Sequence, residues 1–259
     1  IVGAAYRTLV TLYPEQKDKF DAQRAKSIAQ LSDDDEDCTQ SNSLSLGLAW
    51  GDKVAQDILA WRSTDGFTDP VSSFTGGTAV GQWRSTAEPP ASMANQSVAF
   101  TRPFAISGPV QFRPAEPRRL DSSDWESDYN EVKLMGVKTG SGRTQDQTDL
   151  AFFYNGYATI DWCEVLQQVA RAHHTTRSQN VRLFALLNIA LWDSAVVTFS
   201  AKRTYGADPT AVTWRPITAI RFGDTDGNAN TAPDPTWTPL ITTPHHPEYA
   251  ASHTSSHGA

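Results

Sequence analysis

Cysteine is almost absent from this chain: Cys38 and Cys163 are its only two, too few for a disulfide framework that could stand in for a core. Cys38 lies in an acidic stretch and Cys163 inside an apolar pattern, which leaves the redox compartment open. Excess basic charge is lacking too. With 22 Lys and Arg against 29 Asp and Glu, the net charge of -7 argues against nucleic acid as a partner, so an anionic ligand would need a local basic pocket. No apolar run reaches the roughly 20 residues of a bilayer span. The longest, LFALLNIALWDSAVVTF from Leu183 to Phe199, is interrupted by Asn188 and Asp193 and reads as a core helix, so no transmembrane segment is expected. No signal peptide is visible, because IVGAAYRTLVTLYPEQKDKF has neither a basic n-region nor a small-residue cleavage site. Localisation, secretion and homo-oligomerisation stay open. Both ends begin or stop inside patterned segments, and the chain reads as cut at each.

What is present describes a globular domain with a sizeable core: 39% hydrophobic residues, 20% charged and eight Trp. Residues 1 to 31 carry apolar positions at helical spacing, broken near Pro14, and the acidic DDDED at 33 to 37 follows as a solvated loop. SLSLGLAWGDKVAQDILAWRS, from Ser43 to Ser63, spaces Leu46, Ala49, Val54, Ile58 and Trp61 as an amphipathic helix. From Thr64 to about Pro117, Gly, Pro, Ser and Thr recur too often for regular structure. So long a connection is expected to wrap the domain or carry function. SSDWESDYNEVKLMG at 122 to 136 has a capping serine and a closing glycine. Two helical pieces then meet near Asn155 and Gly156, and the core helix runs from about Val181 to Lys202. No strand pattern of comparable length appears, and the predicted fold is all-α with extended loops.

The chemistry gathers after Lys202. Four of the six histidines lie in the last sixteen residues, PHHPEYAASHTSSHGA. Arg215 in VTWRPITAIRFG offers planar donors to an oxyanion and Pro216 stiffens the backbone behind it, although an Arg-Pro pair alone describes many ordinary loops. In DTDGNANTAPD, Asp224, Asp226 and Asn228 imitate the start of a calcium loop, yet the Glu expected at the twelfth position is missing and an Asx-rich turn is the better reading. His253 and His257 are four apart and would share a helix face. No Glu lies between them as in a HExxH protease, so the preferred reading has one acting and the other incidental.

From Glu131 onward the runs NEVKLMG, RTQDQTDLAFF, ARAHHTTRSQNVRLFALLNIALWDS, WRPITAIRFGDTDGN, APDPTWTPL and PEYAASH together resemble the vanadium-dependent haloperoxidase branch of the type 2 phosphatidic acid phosphatase superfamily. The resemblance implies a helical bundle that holds vanadate or phosphate among cationic side chains. It assigns 1–120 to the N-terminal helices and long loops of that branch and 121–259 to the first, incomplete part of its core. Arg215 matches the arginine of the first motif, and Lys202, closing the core helix, is the best match for its lysine. Twelve residues separate them where the family usually has six, TYGADPTAVT having the look of an inserted loop. His253 matches the acid/base histidine of the second motif, with Ala251 and Ser252 where the family has Ser and Gly.

The implied site is therefore Lys202, Arg215, Ser252 and His253 around an oxyanion, with Arg215 and His253 converging to roughly 10 Å, the span of one tetrahedral anion and its hydrogen bonds. None of these is a direct metal ligand. The family's vanadate-ligating histidine belongs to a third motif expected beyond Ala259. The implied activity of the full-length form is vanadate-dependent oxidation of halide by hydrogen peroxide. One alternative is acid hydrolysis of phosphate esters with phosphate in the same pocket. A second is a non-catalytic fragment or degenerate relative, and the 259 residues alone are expected to show no turnover.

Overall fold

The structure, a computed structural model, describes residues 1–34 and 42–258. Among these, helices form the regular structure, and β-pairing is confined to two isolated bridges, Gly76 with Arg84 and Val137 with Pro239. The chain divides into two compact units, Ile1–Gly66 and Phe67–Ala259.

The first unit holds α1 (Val2–Leu12), α2 (Lys17–Asp34) and α3 (Ser43–Arg62). Pro14 starts a 3-10 turn between α1 and α2, where its missing N–H does no harm. Helix α2 runs through Asp33 and Asp34, which the sequence assigns to a loop; the rest of that run and Cys38 lie outside the described residues. Helices α1 and α3 meet through small residues. A Cβ on Gly51 would stand 2.8 Å from the Ala4 nitrogen, and one on Gly3 would collide with the Leu48 carbonyl. The surface of α3 that packs on α1 is thus the Gly51 and Ala55 face, while Leu46, Ile58 and Trp61, expected to form its buried stripe, are exposed. Arg7 Nε on α1 donates to Asp52 Oδ1 on α3 at 2.5 Å.

The second unit contains α4 (Ser123–Gly136), α5 (Gln145–Phe153), α6 (Ala158–Ala172), α7 (Arg177–Ala207), α8 (Pro216–Arg221) and α9 (Ser252–His257). Ser122 caps α4, accepting from Trp125 N, and capping boxes at Thr144 with Gln147 and Thr176 with Gln179 start α5 and α7. The box at Thr176 starts α7 earlier than its apolar pattern does, and Pro209 stands two residues past its end. Its 31 residues are long and apolar enough, by length and composition, to cross a membrane. Its C-terminal half is instead packed in protein: Val196, Ala201 and Lys202 are fully buried, and Phe199 nearly so. Leu183 and Leu187, nearer its start, are half-buried.

The irregular stretch after residue 64 wraps that half of α7. Trp83, Met93, Val98 and Ala99 pack on Val196 and Phe199 in one core cluster. Asp193, which breaks the apolar run, accepts hydrogen bonds from the backbone nitrogens of Phe104, Ala105 and Ile106 at 2.6, 2.7 and 3.1 Å. Further along, the Tyr205 hydroxyl donates to the Pro114 carbonyl at 2.7 Å. A second cluster joins Tyr129 of α4 to Trp214, Ala219, Ile220 and Trp237, anchoring α8. The DTDGN loop is an Asx turn: Asp226 Oδ1 accepts from Asn228 N at 2.8 Å, Asp226 Oδ2 accepts from Thr231 Oγ1 at 2.7 Å, and Gly227 takes φ +79°.

Candidate functional site

Lys202 projects from the last turns of α7 with no exposed surface, and its Nζ donates to the carbonyls of Pro247 and Glu248 at 2.7 and 2.9 Å. Burial lowers its pKa from 10.5 to about 7; Glu248 opposes that fall and Arg215 adds to it. Arg215 is the N-cap of α8, fixed by Pro216 at the first helical position. Its Nη1 lies 2.7 Å from Glu248 Oε2. Burial pushes the guanidinium pKa down, and Glu248 again opposes the shift.

The twelve residues between the two cations do not part them. Helix α7 continues to Ala207, Asp208 Oδ1 accepts from Thr210 N at 2.8 Å to turn the chain, and Thr213 N and Trp214 N both donate to the Gly81 carbonyl at 2.7 and 2.8 Å. Arg215 thereby arrives beside the end of α7. Residues 246–249 close the arrangement from the other side and can lie this near only because position 206 is glycine: a Cβ there would stand 2.6 Å from Pro247 Cγ.

Lys202, Arg215, His246, Glu248, Ser252 and His253 all line one cavity of about 810 Å³. Arg215 Nε and Ser252 Oγ are buried there without a hydrogen-bond partner, and so is Glu248 Oε2, because Arg215 Nη1 approaches it off the hydrogen-bond direction. Unpartnered buried donors beside the buried Lys202 and the largely buried Arg215 fit a tetrahedral oxyanion. His246 Nδ1 lies 3.0 Å from the Pro247 carbonyl, which only accepts, so that nitrogen carries the proton. Burial, reinforced by Lys202 and Arg215, pushes its pKa down to about 3 and keeps the ring neutral.

His253 is exposed, and its Nε2 faces the Gly156 carbonyl at 3.2 Å, leaving Nδ1 as the free nitrogen. It shares a second cavity, of about 380 Å³, with Arg215 and Arg143, whose guanidinium is engaged by the carbonyls of Met135 and Val137. Arg215 and His253 thus line the same two cavities. His257 stacks beside His253 at 6.5 Å and packs edge-on against Tyr154 at 5.1 Å. Glu248 and His246 were not singled out from the sequence, although both stand in its HHPEY run; an acid near an anion site contradicts charge matching, and a histidine among six carries little signal.

A family model, the VCPO second helical-bundle domain, matches residues 182–259, the stretch that supplies every one of these cavity side chains from Lys202 onward. Among solved structures, the first bacterial vanadium-dependent iodoperoxidase is similar, with a TM-score of 0.71 at 20% identity over 93% of this chain. The present chain spans 57% of that structure's length. No curated protein matches. The all-helical fold of a vanadium haloperoxidase is therefore the fold of this chain.

Proposed function

We propose that the cavity between α7, α8 and α9 binds vanadate, and that the protein of which these residues form part is a vanadium-dependent haloperoxidase oxidising halide with hydrogen peroxide. The observation that carries the reading is a fully buried Lys202 beside a largely buried Arg215, with Arg215 Nε and Ser252 Oγ buried and unpartnered on the same cavity wall, in a chain with the fold of a haloperoxidase. Lys202 and Arg215 neutralise the anion in a site where water screens little. Arg215 Nε and Ser252 Oγ donate to its oxygens. When bound, vanadate supplies Lewis-acid activation of peroxide toward halide. His253, held through Nε2 by Gly156, takes up and returns protons at Nδ1. These residues contribute charge and hydrogen bonds, and none of them is assigned a coordinate bond to the metal.

Titration calorimetry with orthovanadate and with inorganic phosphate tests the binding, comparing the parent chain with Arg215→Ala and Lys202→Met. Both substitutions are expected to weaken binding at least tenfold, since each removes a charge-assisted contact. A parent chain that binds neither anion refutes the reading. Bromide and iodide oxidation with vanadate and peroxide, run beside phosphate-ester hydrolysis without vanadate, separates the haloperoxidase from its phosphatase alternative.

A further inference from the structure

A carboxylate is out of place in a cavity built for an anion. Glu248 nevertheless lines it, with Oε2 sealed from solvent, 2.7 Å from Arg215 Nη1 and without an aligned donor. Its backbone carbonyl accepts from Lys202 Nζ at 2.9 Å, whereas its carboxylate acts on that ammonium through charge alone. The other charged or titratable groups on this wall are Lys202 and Arg215, both cationic donors, the neutral His246, His253, turned toward Gly156, and the exposed Tyr157. Among the described residues none, charged or neutral, gives Oε2 a well-directed hydrogen. A fully ionised anion placed against Arg215 would meet Oε2 lone pair to lone pair. An anion that keeps a proton would offer its own O–H to that oxygen.

On the oxyanion-binding reading above, we propose that Glu248 is a specificity residue: it selects tetrahedral oxyanions that carry a proton, the phosphate and vanadate class, and rejects those that are fully ionised, the sulfate class. Discrimination of this kind combines an attractive contact for one ligand with a repulsive one for the other. A site that hydrogen-bonds a ligand hydroxyl rejects the analogue lacking it far more strongly than size differences allow. Charge alone predicts the reverse order. At mildly acid pH phosphate is mostly a monoanion and sulfate a dianion, so the two cations Lys202 and Arg215 without Glu248 would favour sulfate.

The test is titration calorimetry of the chain at mildly acid pH with phosphate, arsenate, sulfate and selenate. Phosphate and arsenate should each bind at least roughly tenfold more tightly than the isosteric sulfate and selenate. That comparison needs no variant, and size cannot mimic it because each pair is matched in size. Glu248→Gln keeps the shape and removes the charge; it should raise sulfate affinity and shrink the phosphate preference by roughly tenfold, with Glu248→Asp retaining the preference and unfolding midpoints showing that both variants fold. If the parent chain binds sulfate and selenate as well as their protonated counterparts, or Glu248→Gln keeps the full preference, the assignment of Glu248 is overturned while oxyanion binding stands. If the parent chain binds none of the four, both fall.

Discussion

Lys202 makes the buried charge of this site measurable in the absence of any ligand. Its pKa, lowered from 10.5 to about 7, corresponds to roughly 5 kcal/mol by which the folded protein disfavours the ammonium. Below about pH 7 the lysine is charged in both folded and unfolded chains, and that cost is fully present. Between about pH 7 and 10.5 the unfolded chain holds a proton that the folded one has released, so raising the pH stabilises the folded form. Relative to Lys202→Met, the parent chain should therefore gain stability across this window by up to about 1.4 kcal/mol per pH unit, and the difference should be flat below it. Urea titrations followed by tryptophan fluorescence read this directly, because Trp83, Trp214 and Trp237 are buried in the same unit as Lys202. Saturating phosphate favours the ammonium and should move the onset of the rise to higher pH. If the two proteins keep a constant difference from neutral to alkaline pH, Lys202 is not desolvated and the account of the cavity is wrong.

Asp193→Ala strips three backbone donors of their acceptor, and should cost about 3 kcal/mol or more in a urea titration with faster hydrogen exchange at residues 104–106; unchanged exchange there would contradict the bonding described. Gly206→Ala drives a Cβ toward Pro247, and about 1–3 kcal/mol of destabilisation should come with weakened phosphate affinity in calorimetry, since the displaced segment carries the acceptors of Lys202. Equal affinity in the variant would mean that residues 246–249 do not position the lysine. His246 should titrate near pH 3 by NMR and rise in Arg215→Ala, which removes one of the charges holding it down; a protonation step near its ordinary value of 6.5 would show that the ring is solvated.

Helices were legible in the sequence where apolar spacing and a cap coincided, as at Ser122 for α4. The start of α7 was missed because RSQN is polar, although Thr176 and Gln179 spell out its capping box. On α3 the large apolar residues were visible and misleading: the contact with α1 is made by Gly51 and Ala55, whose smallness lets two backbones approach and leaves no hydrophobic signal. The irregular stretch after residue 64 could be recognised as a wrapping segment. Its partners could not, because Asp193 meets residues 104–106 across nearly ninety positions and such pairing leaves no period in the sequence. At the candidate site the family resemblance pointed to Lys202, Arg215 and His253, and all three line one cavity. The bond of His253 to Gly156 and the facing of Glu248 onto Arg215 depend on how distant loops are laid against each other, which no local pattern encodes.

The two carbonyls that receive the Lys202 ammonium are synthesised 45 and 46 residues after it. At about 5–20 residues per second, translation leaves the lysine without them for roughly 2–9 s. Until those carbonyls are in place the hydrated ammonium opposes burial of the last turns of α7, where Val196, Ala201 and Lys202 finish with no exposed surface. Burial of the last turns of α7 should therefore be coupled to the docking of residues 246–249, so that the core around Val196 and Ala201 closes only when both ends of that long connection are in place.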